Sequence, residues 1–196
     1  MILLGSSLLN SPVMSLQTGG EIARTGEPII DPATLSILCY AVTGHLLKNQ
    51  QTNILRIVDI RELSDLGMIV DSIDEIVPLS DVIKLQELVD LNFSLVGMKV
   101  TDQRKKSLGK VVDYTIDTGS FIVQQLTVRR PLLKSFNDTE LVIHRSQIIE
   151  ISRTSIVVHS EAKIPEPELH EVVGSYVNPF RKPRKHAPEA THRDTP

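Results

Sequence analysis

The sequence predicts an all-β protein: two small antiparallel β-barrels in tandem, a short connecting helix and a disordered C-terminal tail. Three observations lead there. Apolar, β-branched runs of strand length are separated by turn residues about every 8 to 12 positions, the pattern of small closed or nearly closed barrels. The pattern of residues 109 to 128, two apolar arms around Asp117-Thr118-Gly119-Ser120, reads as a β-hairpin and recurs at 26 to 42. Helical spacing is sustained only between those two stretches.

Taken in order, residues 1–11 form an N-terminal segment, apolar and Ser/Asn-rich without Lys or Arg. Its Ile2-Leu3-Leu4 run is too short for a secretory signal. The first unit spans 12–70. Its uncharged stretch Thr34 to Leu47 falls short of the roughly 20 apolar residues of a membrane helix, so no membrane insertion is expected. That stretch holds the single cysteine, Cys39, which excludes an internal disulfide and suits a reducing, cytoplasmic location. In the linker, 71–92, Ser80 is placed to cap a helix starting at Asp81, with Val82, Leu85, Leu88, Val89 and Leu91 at helical spacing after Pro78. The second unit spans 93–160. The tail, 161–196, has six prolines and no sustained period, so it is expected to be disordered or extended, with local docking of Leu169 to Tyr176.

The match between the units is continuous over the hairpin. Ile30-Asp31-Pro32-Ala33-Thr34-Leu35-Ser36-Ile37 aligns with Ile116-Asp117-Thr118-Gly119-Ser120-Phe121-Ile122-Val123, and the same offset sets Leu46-Leu47-Lys48 on Leu132-Leu133-Lys134, and Leu55 and Ile57 on Leu141 and Ile143. Glu62-Leu63-Ser64 meets Glu150-Ile151-Ser152 after a two-residue slip. Met14-Ser15-Leu16 is set on Met98-Lys99-Val100, and Gly26 on Gly109, with a three-residue difference inside the hairpin arm. Two units this small bury a modest share of their surface, so the copies are expected to pack against each other.

Leu95-Val96-Gly97, then Gly109-Lys110-Val111-Val112-Asp113, the hairpin, and Ile143-His144-Arg145-Ser146-Gln147-Ile148-Ile149-Glu150-Ile151 before Ile156-Val157-Val158 resemble the PRC-barrel family. That family is named from the photosynthetic reaction centre H subunit and includes the C-terminal domain of RimM-type ribosome maturation factors. The first unit carries the likeness through its match to the second, since Pro12-Val13 and Glu27-Pro28 replace the family residues there. The resemblance implies a six-stranded barrel in each unit, used for docking.

Nothing in the spacing makes an enzyme. A Gly-rich phosphate loop followed by Lys, a dinucleotide fingerprint and His-Glu-x-x-His are all missing from the sequence, so no catalytic, cofactor-binding or metal-ligating residue is assigned. The carboxylates at Asp59, Glu62 and Asp65 and at Asp71, Asp74 and Glu75 lack the order of a calcium loop and read as a solvated acidic face; His144 and His159 read as rim histidines. Charge is polarised. The first unit holds 4 basic and 6 acidic residues, the linker 1 and 6, the second unit 10 and 6, and the tail 6 and 6, for a net charge of −3. Candidate contacts for an anionic partner are Arg104, Lys105 and Lys106 in a turn, Arg129 and Arg130 after the hairpin, and Arg181, Lys182, Arg184 and Lys185 in the tail. Aromatic residues are only 4% of the chain, too few for a base-stacking platform. The expected function is a non-catalytic adaptor docking a protein partner. The alternative is an RNA- or ribosome-associated assembly factor of RimM-like type.

Overall fold

The computed structural model describes residues 1–47, 51–130 and 140–159. Its strands are β1 (Ile2–Leu4), β2 (Pro12–Ser15), β3 (Gly20–Asp31), β4 (Ser36–Thr43), β5 (Asn53–Arg56), β6 (Glu62–Ser64), β7 (Gly67–Val70), β8 (Ile76–Pro78), β9 (Lys99–Asp102), β10 (Ser107–Asp117), β11 (Ile122–Arg129), β12 (Glu140–His144), β13 (Ile148–Ile151) and β14 (Ser155–Val158). One α-helix, α1 (Ile83–Asp90), lies between β8 and β9. The predicted tail lies outside the described residues.

Alternation makes the strands. In β11, Val123, Leu126 and Val128 are buried while Gln125 and Arg129 are exposed, and β4 buries Ile37, Tyr40 and Val42 on the same side. Successive strands pair antiparallel as β2-β3-β4-β5, and again as β9-β10-β11-β12. The β6–β7 and β13–β14 hairpins then return to set β7 beside β2 and β14 beside β9, both parallel. The order of pairing in 12–70 is thus the order found in 99–158.

Two parts of the predicted fold are revised. The sheet is mixed rather than purely antiparallel, because of the two parallel pairs. It is also one open 14-stranded sheet, not two closed barrels. Among the described residues no ladder joins β5 to β6 or β12 to β13. At both corners the backbone turns instead through one 3-10 turn, Ile57–Asp59 and Arg145–Gln147, whose groups bond locally, as Ile60 N–H to the Ile57 carbonyl at 3.2 Å.

The hairpin tips join the halves. Ser36 of β4 pairs with Ile122 of β11, and two further bonds are exchanged reciprocally: Ile37 N–H donates to the Phe121 carbonyl at 2.8 Å and Val123 N–H to the Leu35 carbonyl at 2.9 Å. Both turns are built alike. Asp31 accepts from Ala33 N–H and the Thr34 hydroxyl, and Asp117 from Gly119 N–H and the Ser120 hydroxyl. The next residues, Leu35 (φ 59°) and Phe121 (φ 52°), are left-handed, a conformation unusual for their types, and both are buried in one core that runs through the two halves.

Register corrects the sequence alignment at three places, the first being that Val13 and Val100 hold the same position between their neighbouring strands, so Met14 does not correspond to Met98. Tyr40 faces Leu55 and Leu126 faces Ile143, so Leu55 corresponds to Ile143, not Leu141; the two-residue slip falls in the loop before β5 and β12. Val13 faces Ala23 and Val100 faces Gly109, so Ala23, not Gly26, occupies the place of Gly109, and the arm has no three-residue gap. The match of Lys48 with Lys134 lies outside the described residues.

The N-terminal segment is part of the sheet. β1 extends the edge of β10 beyond β9, with Leu3 facing Ile116. The single turn Gly5–Leu8 follows; a Cβ at Gly5 would overlap the Tyr114 ring, so that close approach needs glycine. Leu8 is buried, and its carbonyl accepts the Thr25 hydroxyl at 2.6 Å. The linker also packs. β8 pairs with β5, and Leu85 of α1 covers Cys39 and Ile54 on the outer side of the first half. Burial pushes the Cys39 thiol up to about 12. Ser80 does not cap: Leu79–Asp81 forms a 3-10 turn after Pro78, the Ser80 hydroxyl turns to Asp81, and α1 starts at Ile83.

Candidate anion-binding face

The outer face of the second half is set by strands whose inner residues fill the core. In β9, Val100 and Asp102 point inward and Lys99 outward; in β10, Val111 is buried and Lys110 exposed; in β11, Val128 is buried and Arg129 exposed. Register then aligns the outward residues. Lys99 faces Lys110, Lys110 faces Arg129, and Arg129 faces Glu140 of β12. Direct cross-strand partners have Cα atoms about 5 Å apart, so three cations form a row across three strands. Like charges directly opposite each other are destabilising. Among the described residues only Arg129 is relieved, by Glu140 at 3.4 Å, and that exposed pair is worth at most about 1 kcal/mol.

The turn bearing Arg104, Lys105 and Lys106 stands at the same end of these strands, about 10 Å from the row at roughly 3.3 Å per residue. Asp102 builds it. Its buried carboxylate accepts both Arg104 N–H and Lys106 N–H at 2.8 Å, and Lys105 takes a left-handed φ of 62°. The carboxylate is spent on backbone amides, while the three cationic side chains are exposed.

Of the predicted residues, the structure therefore brings Arg104, Lys105, Lys106 and Arg129 to one end of one sheet face. Arg130 directly follows the end of β11 and is half-buried. Arg181, Lys182, Arg184 and Lys185 lie outside the described residues. Lys99 and Lys110 belong to the row and were not singled out from sequence. Alternation marks each as outward, but only register shows that they are opposite each other and Arg129.

The corresponding positions of the first half are Pro12, Arg24 and Thr43, and its lone cation is occupied: Arg24 holds Glu21 at 2.7 Å and the Asn10 carbonyl at 3.0 Å. Next to it, Ile29, Cys39 and Ile54 are apolar and lie under α1 and β8. Their counterparts Thr115, Gln125 and Val142 are mostly polar, and Val142 is 54% exposed.

Other candidates from sequence have local partners. Arg56 grips Asp59 with two bonds of 2.6 and 2.9 Å, which raises the guanidinium pKa, and Arg61 holds Asp71 at 2.6 Å. His144 Nδ1 lies 2.8 Å from the Ser146 hydroxyl, and His159 Nδ1 lies 3.1 Å from the Gln103 amide. Among the described residues no three His, Cys, Asp or Glu side chains converge as a metal site, and no helix is long and apolar enough to cross a membrane. No family model matches the chain, and no curated protein matches it.

Proposed function

We propose that the protein is a non-catalytic, intracellular adaptor that docks an acidic surface of a protein partner on the outer face of β9, β10 and β11. In this reading the chain is a duplicated unit of PRC-barrel type whose two copies have diverged: the first is covered by its own linker, and the second faces the partner. The observation that carries it is the cation row Lys99, Lys110 and Arg129, maintained against its own repulsion on an exposed face, where the first half instead has Pro12, Arg24 and Thr43 beside a stretch covered by α1 and β8. Among the described residues the aromatic side chains Tyr40, Tyr114 and Phe121 are buried and Phe93 is half-buried, and Lys and Arg without an exposed aromatic suit carboxylates.

The test is capture from nuclease-treated lysate with the full chain and with K99E/K110E. A partner held by the wild type and lost from the variant supports docking on this face; equal capture by both refutes it. The same row also favours the second reading, an RNA- or ribosome-associated factor. Contacts to four phosphates would weaken RNA binding about 50-fold between 50 and 200 mM salt. Nuclease-resistant capture with shallow salt dependence rejects that alternative.

A further inference from the structure

The backbone bulges of β3 and β10 fall at corresponding places, between Thr25 and Pro28 and between Val111 and Asp113. A bulge bends its strand and re-aims side chains, which is why bulges recur beside binding sites. Here the two bulges, the N-terminal segment and the stretch after α1 surround a cleft of about 450 Å³, within the size range of small-ligand sites. Glu27 lines it from one bulge and Asp113 from the other.

Neither carboxylate meets a cation among the described residues. Asp113 accepts only neutral donors, the Ser6 N–H and hydroxyl and the Tyr114 N–H. Two aromatic side chains complete the walls. Phe93 is half-buried, and Tyr114 is 4% exposed with its ring packed on Gly5. Negative charge beside aromatic faces, in a cavity sized for one side chain, is the chemistry that takes up organic cations.

We infer that this cleft binds a guanidinium or primary ammonium group, held by Glu27 and Asp113 against Tyr114 and Phe93. The site stands apart from the cation row, shares no residue with it, and does not depend on the adaptor reading.

Calorimetric titration of the full chain with N-acetyl-arginine amide, and with the neutral isostere N-acetyl-citrulline amide, tests this. The arginine ligand should bind, and citrulline should bind at least about tenfold more weakly, since a neutral group leaves both carboxylates unmatched. Glu27→Gln should weaken arginine about threefold, as expected for one partly exposed ion pair. Glu62→Gln, an exposed carboxylate away from the cleft, should change nothing. Equal affinity for arginine and citrulline, or an unchanged affinity in Glu27→Gln, overturns the proposal, as does the lack of arginine binding up to about 10 mM. Glu27 is exposed and makes no ion pair among the described residues, so its variant is expected to fold; a thermal melt checks this independently. Agmatine and a Gly-Arg-Gly peptide distinguish the source. Equal binding assigns the site to a free amine, and tighter peptide binding to a partner's side chain.

Discussion

Cys39 is a built-in reporter of whether α1 stays docked. Its side chain is fully buried beneath Leu85, and burial pushes its thiol up to about 12. The thiolate is the reactive species, so a thiol reagent at pH 8 modifies Cys39 only through openings that lift the helix. Leu85→Ala deletes a side chain only 7% exposed. Leu→Ala changes in cores cost about 2 to 5 kcal/mol, and a surface helix of two turns can settle into part of the space, so about 2 kcal/mol is expected. With RT near 0.59 kcal/mol, the open population and hence the labelling rate rise about 30-fold. Leu85→Met, which conserves volume, should cost less than about 1.5 kcal/mol and raise the rate by less than about 12-fold. Ile83→Ala, on the exposed side at 72%, should leave it nearly unchanged. The assay is disulfide exchange with a chromogenic reagent under native conditions, rates being compared with a free thiol peptide. Equal rates in wild type and Leu85→Ala, or an Ile83→Ala rate matching that of Leu85→Ala, would refute the argument.

Three further outcomes follow from the same geometry. Thr25→Val strands the Leu8 carbonyl and the Ser11 N–H, which bond the Thr25 hydroxyl at 2.6 and 2.8 Å, and should cost about 2 kcal/mol in urea unfolding. Phe121→Ala and Leu35→Ala should each destabilise, by about 3 and about 2 kcal/mol, and a double-mutant cycle should show coupling above about 0.5 kcal/mol because both residues hold the same junction. The Ser120 hydroxyl, then the Gly119 N–H, hold the Asp117 carboxyl below its ordinary value. A depressed folded pKa stabilises the fold above the unfolded value of about 3.9 and ceases to do so as pH falls through the folded value. The stability gap between wild type and Asp117→Asn, followed by thermal melts, should therefore be constant near neutrality and narrow below about pH 4.

Much of the local structure was legible in the chain. Asp31 and Asp117, each followed three residues later by a hydroxyl, announce the two hairpin turns, because an Asp side chain can bond the amide two residues on. The long arms on either side show their period of two. Alignment then failed in a specific way. Setting Leu55 on Leu141 is wrong by two residues, and a shift of two preserves which side chains face inward, so alternation cannot detect it. Only the pairing of Tyr40 with Leu55 and of Leu126 with Ile143 settles it. The Ser80 cap failed because Pro78 was followed by a tighter turn that used up the first residues of the expected helix.

By itself, the sequence determined the long hairpin strands of the two units, where they reverse, and that the second half carries the excess of positive charge, but not the strands β1 and β8. These are local properties, written in side-chain period, turn chemistry and composition. Tertiary structure alone decided that β7 and β14 return parallel to β2 and β9, that the hairpin tips merge two strand sets into one sheet, and that Lys99, Lys110 and Arg129 share a row. It also decided that Glu27 and Asp113 line one cleft. The physical reason is common to all four. A strand's edge can pair with any other edge, and the choice follows from burying one continuous apolar core, a sum over distant residues that no local stretch of the chain contains.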